Sequence, residues 1–145
     1  NMEKQPQFPF APKDFARCLN ATCPRSQNCL RRTAALQDTD EHLFLKVVNP
    51  LRYPKEGEEC ELFRSTDKVR MAWGVTHLLD NVPYKEGSLL RNMIINHLGR
   101  SQYYRCFRKE RPFSPQDQQT IRLLFRQRGI NEEPLFDYYT NEFNW

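Results

Sequence analysis

The clearest hydrophobic pattern in the chain lies in its second half. Residues that can face a core recur there at intervals of three and four positions, which is the spacing of one face of an α-helix. The first such group is Leu90, Met93, Ile94 and His97. This pattern predicts a helix over residues 84–98, and the glycine that follows, Gly99, is a typical C-terminal helix signal.

The sharpest local signal is the tetrapeptide Ser114-Pro115-Gln116-Asp117. Serine is a favoured N-cap residue, proline suits the first helical position, and an acid at the third position can accept hydrogen bonds from free backbone amides. Apolar residues at helical spacing follow it. The sequence therefore predicts a helix that starts at Pro115 and ends before Gly129.

The other segments predict shorter elements. One further helix is expected over residues 67–81, capped by Ser65 or Thr66 and stopped by Pro83. Proline at a first helical position also predicts a short helix that starts at Pro12 and a second helix that starts at Pro24 and runs through Leu30 to Leu36. A last short helix is expected over 134–143. Runs rich in β-forming residues predict strands over 42–48, 60–64 and 103–108.

Together these elements predict a single compact domain of the α+β class. It is expected to be predominantly helical, with four to five helices and a few short strands. A chain of 145 residues has the length of one domain, and its 12% aromatic content is enough to form a core. Residues 1–12 predict a loose N-terminal lead-in, and residues 13–145 the globular domain.

The sequence indicates neither a signal peptide nor a membrane span. Its first residues lack a basic region followed by an apolar one. The densest apolar run, LFLKVV, is far shorter than the roughly 20 residues that a membrane helix needs. These features favour a cytoplasmic protein without a membrane partner, in which cysteines are typically reduced thiols or metal ligands rather than disulfides.

Four of the five cysteines form the main candidate site. Cys18, Cys23, Cys29 and Cys60 follow one another with spacings C-x4-C, C-x5-C and C-x30-C. Four thiolates are the ligands of a tetrahedral zinc site or of an iron–sulfur cluster, so either cofactor is compatible with this set. The alternative is that these thiols are small buried hydrophobic residues and that no cofactor is bound. Cys106, within YYRCFR, is expected to be a strand residue in the core.

The region 85–128 carries ten basic residues against three acidic ones. Such a surface is typical of nucleic-acid-binding proteins, and the predicted helices over 67–81 and 84–98 are separated by a short turn, as in a helix-turn-helix. The candidate contacts are Lys85, Arg91, Arg100, Arg105, Arg108, Lys109 and Arg111. A winged-helix-like nucleic-acid-binding protein is therefore an alternative, although pairing with acids of the same chain would also account for the charge.

No catalytic motif is present, and no catalytic residue is predicted. A cysteine-dependent enzyme with His42, His77 or His97 as its base is a less favoured alternative, because no local motif accompanies these residues. The chain also has no glycine-rich phosphate-binding loop. A non-enzymatic protein is favoured.

Six segments carry a family resemblance: FARCLNATCPRSQNCLRR, VRMAWGVTHLLDNVP, LGRSQYYRCFR, FSPQDQQTIRLLF, RGINEEPLFDYY and the terminal EFNW. They extend over most of the chain from residue 15 onward. Together they resemble a family of small bacterial proteins known as a domain of unknown function. The resemblance implies a free-standing cytoplasmic protein of one domain, and it brings no activity, ligand or catalytic residue with it.

The sequence thus predicts a non-enzymatic binding or regulatory module with a cysteine-held structural metal site. Its partner, another protein or a nucleic acid, is not specified by the sequence.

Overall fold

The computed structural model describes residues 8–145. Within that range the chain forms four α-helices and two β-strands. They are α1 (Leu30–Ala35), β1 (Lys68–Trp73), α2 (Tyr84–Leu98), α3 (Arg100–Phe107), α4 (Pro115–Gln127) and β2 (Tyr138–Phe143). The two strands pair in one antiparallel sheet, so the mixed α+β class is confirmed. Among the described helices, none combines the length and the hydropathy that crossing a membrane requires.

Contacts within the chain divide it into two units. The first contains Asn1–Asp67 together with Phe143–Trp145, and the second contains Lys68–Glu142. Each unit has a hydrophobic core of its own. The single domain expected over residues 13–145 is not tested by this division and stays a prediction, and most of the expected lead-in lies outside the described residues.

The second unit is built around three helices. The helix α2 packs against α3 and α4, and α4 also packs against β1. Both helices with clear sequence signals, α2 and α4, are confirmed. At the start of α4 the Ser114 hydroxyl accepts from the Asp117 amide at 3.1 Å, and the Asp117 carboxylate accepts from the Ser114 amide at 3.3 Å. This reciprocal pair is the capping arrangement that the tetrapeptide predicts.

The predicted helix over 67–81 is wrong, because this segment begins with the strand β1 and continues in turns. Val69, Met71 and Trp73 lie at every second position, which is the period of a strand, and the apolar residues that follow them imitated a helical spacing. The strand ends at Trp73, and the next residue, Gly74, has a left-handed φ of 80°. A Cβ at this position would collide with the Asp137 carboxylate, so only glycine fits here.

The predicted strand over 103–108 is also wrong, because these residues belong to α3. The aromatic residues of this segment favour a strand. Tyr103 and Cys106, however, lie one helical turn apart, and both are buried in the core of the second unit. Packing of that face outweighs the local preference of the aromatic residues. Gly99, with a φ of 84°, separates α2 from α3.

The short helix predicted over 134–143 is replaced by β2. Phe136, Tyr139 and Phe143 have a helix-like spacing, but the segment extends and pairs with β1. The Tyr138 ring stacks on Trp73 with 5.9 Å between the ring centroids. The Trp73 indole N–H also donates to the Thr140 hydroxyl at 2.8 Å. These cross-strand contacts favour the strand.

The first unit does not contain the strands predicted over 42–48 and 60–64. Only isolated bridges form there, between Val47 and Arg17 and between Ser65 and Cys29. The side chains of Leu43 and Phe44 are 95% and 87% exposed, so the apolar run LFLKVV is largely outside the core. A strand needs a neighbouring strand to hydrogen-bond with, and these segments have none of any length. The helix predicted from Pro12 is likewise only a turn, closed by the hydrogen bond from the Phe15 amide to the Pro12 carbonyl.

A fully buried arginine lies in the first unit. The Arg17 guanidinium donates to the backbone carbonyls of Lys13 and Phe15 at 3.2 and 3.1 Å, and to the Asp38 carboxylate at 3.3 Å. Asp38 also lies 3.1 Å from the His42 ring. Burial by itself raises the pKa of the Asp38 carboxyl, but the hydrogen bonds from His42 and Arg17 bring that pKa below its ordinary value.

This lowered pKa predicts an acid-sensitive contribution to stability. A carboxyl with a depressed pKa stabilises the folded state above its unfolded pKa, and that contribution is lost as the pH falls through the folded pKa. We therefore expect the difference in Tm between the wild type and Asp38→Asn to be largest near neutral pH and to shrink toward about pH 3. Thermal unfolding followed by circular dichroism at a series of pH values measures it. Asp14→Asn removes an exposed carboxylate and is the control. A difference in Tm between the wild type and Asp38→Asn that does not change with pH would contradict the prediction.

Candidate metal centre

The four cysteines singled out in the sequence line one small cavity in the first unit. Its volume is about 30 Å³, and Cys18, Cys23, Cys29 and Cys60 are among the residues that line it. Cys29 is buried and the other three are half-buried. The cavity therefore brings together thiols that lie up to 42 positions apart in the sequence.

The local structure around Cys23 and Cys29 differs from the prediction. The helix does not start at Pro24; a short 3₁₀ helix, Ser26–Asn28, comes first, and α1 begins only at Leu30. The Ser26 amide donates to the Cys23 carbonyl at 3.1 Å, which makes a turn at Cys23. Cys29 rather than Cys23 is thus the residue at the N-cap position of α1.

Backbone hydrogen bonds hold the other cysteine segments against the start of α1. The Cys18 amide donates to the Arg31 carbonyl at 3.0 Å. The Leu30 amide donates to the Arg64 carbonyl at 2.7 Å, which fixes the segment that follows Cys60. Three stretches of chain therefore meet at the first turn of this helix, and each of them carries at least one of the four thiols.

Arg31 is the side chain that connects these stretches. Its Nε donates to the Leu62 carbonyl at 2.8 Å and its Nη1 donates to the Ala16 carbonyl at 3.0 Å. The guanidinium also lies over the Phe15 ring, 4.8 Å from the centroid. These contacts fix a positive charge beside the cavity, which Arg31 also lines.

The electrostatics of Arg31 show how close that charge is to the thiols. Burial lowers the pKa of the guanidinium and Arg64 lowers it further, whereas Cys29, Cys60 and Cys18 act in the opposite direction. An arginine remains protonated in proteins even so. The site therefore contains a permanent cation close to three of the four thiols.

The thiols share the cavity without being arranged as a finished metal site. In residues 8–145, no three side chains of the Cys, His, Asp and Glu types lie at the mutual spacing of metal ligands. The chemistry of the donor set matches zinc, since four soft ligands line one small cavity. Their spacing does not yet match it, so metal binding would require side-chain rotation or movement of the loop that carries Cys60.

Cys106 differs from the other four cysteines in location and environment. It is fully buried in the second unit, within α3 rather than in the predicted strand. Burial raises the pKa of its thiol, although Arg111, with Nη1 4.0 Å from the Sγ, acts in the opposite direction. This thiol is a core residue, as its sequence context predicts.

The basic residues of region 85–128 all lie in the second unit, but six of the ten form a salt bridge with an acid of the same unit. Arg108 pairs with Glu110 at 3.0 Å, Lys109 with Asp137 at 3.3 Å, and Arg111 with Asp117 at 3.6 Å. Arg100 lies over the Tyr104 ring, 5.6 Å from its centroid. Lys85, Arg91 and Arg105 are exposed and form no salt bridge with any described residue.

The predicted helix-turn-helix is wrong, since its first helix is the strand β1. Its second helix, α2, does exist and presents Lys85 and Arg91 to solvent. Nucleic-acid binding through the exposed basic residues stays a prediction.

The three histidines do not line the cysteine cavity. His42 contacts Asp38, while His77 and His97 belong to the second unit, where they lie near Asp80 and Asp117 at 2.7 and 3.7 Å. None of these rings is among the residues around the four thiols. The cysteine–histidine enzyme stays a prediction without a matching pair in this cavity.

Sequence reasoning missed the arginines of the site. Arg25, Arg31, Arg32 and Arg52 all line the cavity together with the cysteines. The only available signal was the segment NCLRR, where two arginines lie two and three positions after a candidate ligand. Their approach to the other thiols depends on how the chain folds back and could not be read from spacing.

The fold and the site define a small α+β protein with a cavity lined by four thiols and several arginines. The sequence model of a family of unknown function, DUF6078, matches residues 2–145, and the chain belongs to this family. No curated protein and no solved structure matches the chain.

Proposed function

We propose that this protein is a non-enzymatic cytoplasmic binding module whose first unit holds one structural zinc ion through Cys18, Cys23, Cys29 and Cys60. The observation that carries the proposal is the shared cavity of these four thiols. Four thiolates are a common ligand set for structural zinc, and no other residue type in this cavity has comparable affinity for it.

The size of the cavity supports a single ion rather than a cluster. Its volume of about 30 Å³ is small beside the roughly 300–1,000 Å³ of pockets that hold small molecules. An iron–sulfur cluster contains several iron and sulfide atoms and needs considerably more room. Zinc is therefore the cofactor that this space favours.

The surrounding charges support the same assignment. A zinc ion with four thiolates carries a net charge of −2, which is costly to place in a half-buried site without compensation. Arg31 is fixed beside the cavity by two backbone carbonyls, and Arg64 is near enough to affect its pKa. These two cations would balance the charge of the loaded site.

The role of the metal would be to fix the loop that carries Cys60. That loop contains the exposed, charged residues Lys55–Glu59, and its attachment to the rest of the first unit is made near Leu62 and Arg64. Binding of zinc to the folded form would stabilise the first unit by mass action. A module of this kind would present its partner surface only when the metal is bound.

Zinc content tests the proposal directly. We expect protein purified under reducing conditions to bind one zinc per chain, measured by metal analysis and by competition with a chromophoric chelator. Cys60→Ala should weaken binding by more than the roughly 100-fold that loss of an outer-shell contact costs. Cys106→Ala is the matched control: it removes a thiol from the second unit, away from the cavity, and should leave the zinc affinity unchanged.

Two results would contradict the proposal. One is wild-type protein that takes up no zinc from an equimolar solution while its circular dichroism shows it to be folded. The other is equal zinc affinity of the Cys60→Ala and Cys106→Ala variants.

A further inference from the structure

A wider cleft lies beside the cysteine cavity, between two stretches of the first unit. Its volume is about 330 Å³, and its walls are the residues around Asn20–Arg25 and Pro54–Cys60. Cys23 and Cys60 line both the inner cavity and this cleft, whereas Cys18 and Cys29 line only the inner cavity. Two of the four thiols are therefore reachable from the open side.

The cleft contains charges of both signs next to these thiols. Arg25 and Lys55 are basic, and Glu56 and Glu58 are acidic. The Arg25 guanidinium lies flat on the Phe63 ring, 3.5 Å from its centroid. No ion pair of Arg25 is found in the described part of the chain, so its charge is open to an incoming carboxylate.

The cleft also has the dimensions of a small-molecule site. Pockets for small ligands have volumes of about 300–1,000 Å³. A zwitterionic amino-acid thiol carries carboxylates and an ammonium group at a short distance from its sulfur. The carboxylates match Arg25 and Lys55, the ammonium matches Glu56 and Glu58, and the sulfur would reach Cys23 or Cys60.

We propose that Cys23 and Cys60 are sites of reversible S-thiolation by zwitterionic low-molecular-weight disulfides that bind in this cleft. This modification concerns two of the cysteines of the proposed zinc site. Only the expected protection of these cysteines by zinc rests on the proposed function. The modified cysteines could no longer serve as metal ligands, so the reaction would prevent the metal-free centre from taking up zinc.

The reaction is a thiol–disulfide exchange. The thiolate sulfur of Cys23 or Cys60 attacks one sulfur of the disulfide, a new S–S bond forms, and the old S–S bond breaks. The other half leaves as a thiolate and takes up the proton that the cysteine lost. The cysteine sulfur is oxidised from the thiol to the disulfide level while the leaving sulfur is reduced to a thiol, so no further oxidant is needed.

Oxidised glutathione is the probe, and hydroxyethyl disulfide, which lacks charged groups, is the matched reagent. The full-length, reduced, metal-free protein is treated with each, and adducts are located by intact mass and peptide mapping. We expect glutathionyl groups on Cys23 and Cys60, with Cys29 and the core thiol Cys106 unmodified. Arg25→Gln should slow the reaction with oxidised glutathione by roughly tenfold, the effect of losing one charge-assisted contact, and leave hydroxyethyl disulfide unaffected.

Lys13→Gln, at an exposed position of the same unit outside the cleft, should leave both rates unchanged. Adducts confined to Cys18, Cys29 or Cys106 would overturn the proposal. An equal effect of Arg25→Gln on the two reagents would also overturn it, since the charges of the cleft would then not select the reagent.

A zinc-loaded sample separates this proposal from the preceding one. If both hold, one equivalent of zinc protects Cys23 and Cys60, and chelation restores their reactivity. Adducts on these residues in protein that binds no zinc would support the cleft and contradict the zinc site. Stoichiometric zinc binding without any adduct in the metal-free protein would support the zinc site and contradict the S-thiolation proposal.

Discussion

Arg17→Ala is expected to lower the free energy of unfolding of the first unit by about 3–5 kcal/mol. The guanidinium is completely buried, and it donates to the Lys13 and Phe15 carbonyls and to Asp38. The substitution leaves an empty volume in the core and removes a donor from each of these acceptors. Both losses destabilise the folded state of the first unit.

The same substitution should also weaken zinc binding. The backbone of Arg17 forms a bridge with Val47, through hydrogen bonds from the Arg17 amide to the Lys46 carbonyl and from the Val48 amide to the Arg17 carbonyl. Val48 lines the cysteine cavity, and Cys18 directly follows Arg17. A shift of this segment would displace one wall of the site together with one of its thiols.

The two tryptophans allow the effect to be assigned to a unit. Trp145 contacts Phe15 in the first unit, with 5.4 Å between the ring centroids, and Trp73 stacks on Tyr138 in the second. Urea unfolding of Arg17→Ala in a Trp73→Phe background, followed by fluorescence, reports the first unit. Lys13→Ala, an exposed change four positions earlier, should stay within about 0.5 kcal/mol of the wild type. A loss below about 1 kcal/mol for Arg17→Ala would show that the buried guanidinium contributes little.

Phe113→Ala is expected to destabilise the second unit by about 3–5 kcal/mol. The ring is fully buried and lies against Phe136, with 5.2 Å between the ring centroids. The Phe113 backbone exchanges two hydrogen bonds with Ala72 of β1, at 2.7 and 3.1 Å. These bonds prevent the backbone from moving in to fill the space that the missing ring leaves.

Unfolding followed by Trp73 fluorescence in a Trp145→Phe background measures this effect. Phe107→Ala is the matched control, because the same ring is removed at a position that is 56% exposed. Phe113→Leu should recover much of the lost stability, since it restores most of the apolar volume. Equal losses for Phe113→Ala and Phe107→Ala would contradict the core assignment.

Some of the structure follows from the sequence because the responsible interactions are local. The start of α4 depends on Ser114 and Asp117, which are three positions apart and cap each other. The extent of α2 depends on one apolar face and on the glycine that follows it. Such signals act within a few residues, so they do not depend on the rest of the fold.

The wrong predictions of secondary structure concern segments whose conformation depends on partners that are distant in the sequence. The segment at Val69 becomes a strand because residues 138–143 pair with it, about 70 positions later. The YYRCFR segment becomes helical because Tyr103 and Cys106 fit the core formed by α2 and α4. Neither partner is visible in the local composition, and burial against a distant element can exceed an intrinsic preference of well under 1 kcal/mol per residue.

By itself the sequence determined the class of the fold, the helices α2 and α4, the segment but not the start of α1, and the set of four cysteines distinct from Cys106. Only the tertiary structure decided that these thiols surround one cavity, that Cys23 and Cys60 also face an open cleft, and that Arg31 lies beside them. The reason is that the cavity forms where three stretches of chain are held to the first turn of α1 by backbone hydrogen bonds and by the Arg31 side chain. Those contacts join residues from 13 to 34 positions apart, and no spacing rule along the chain specifies them.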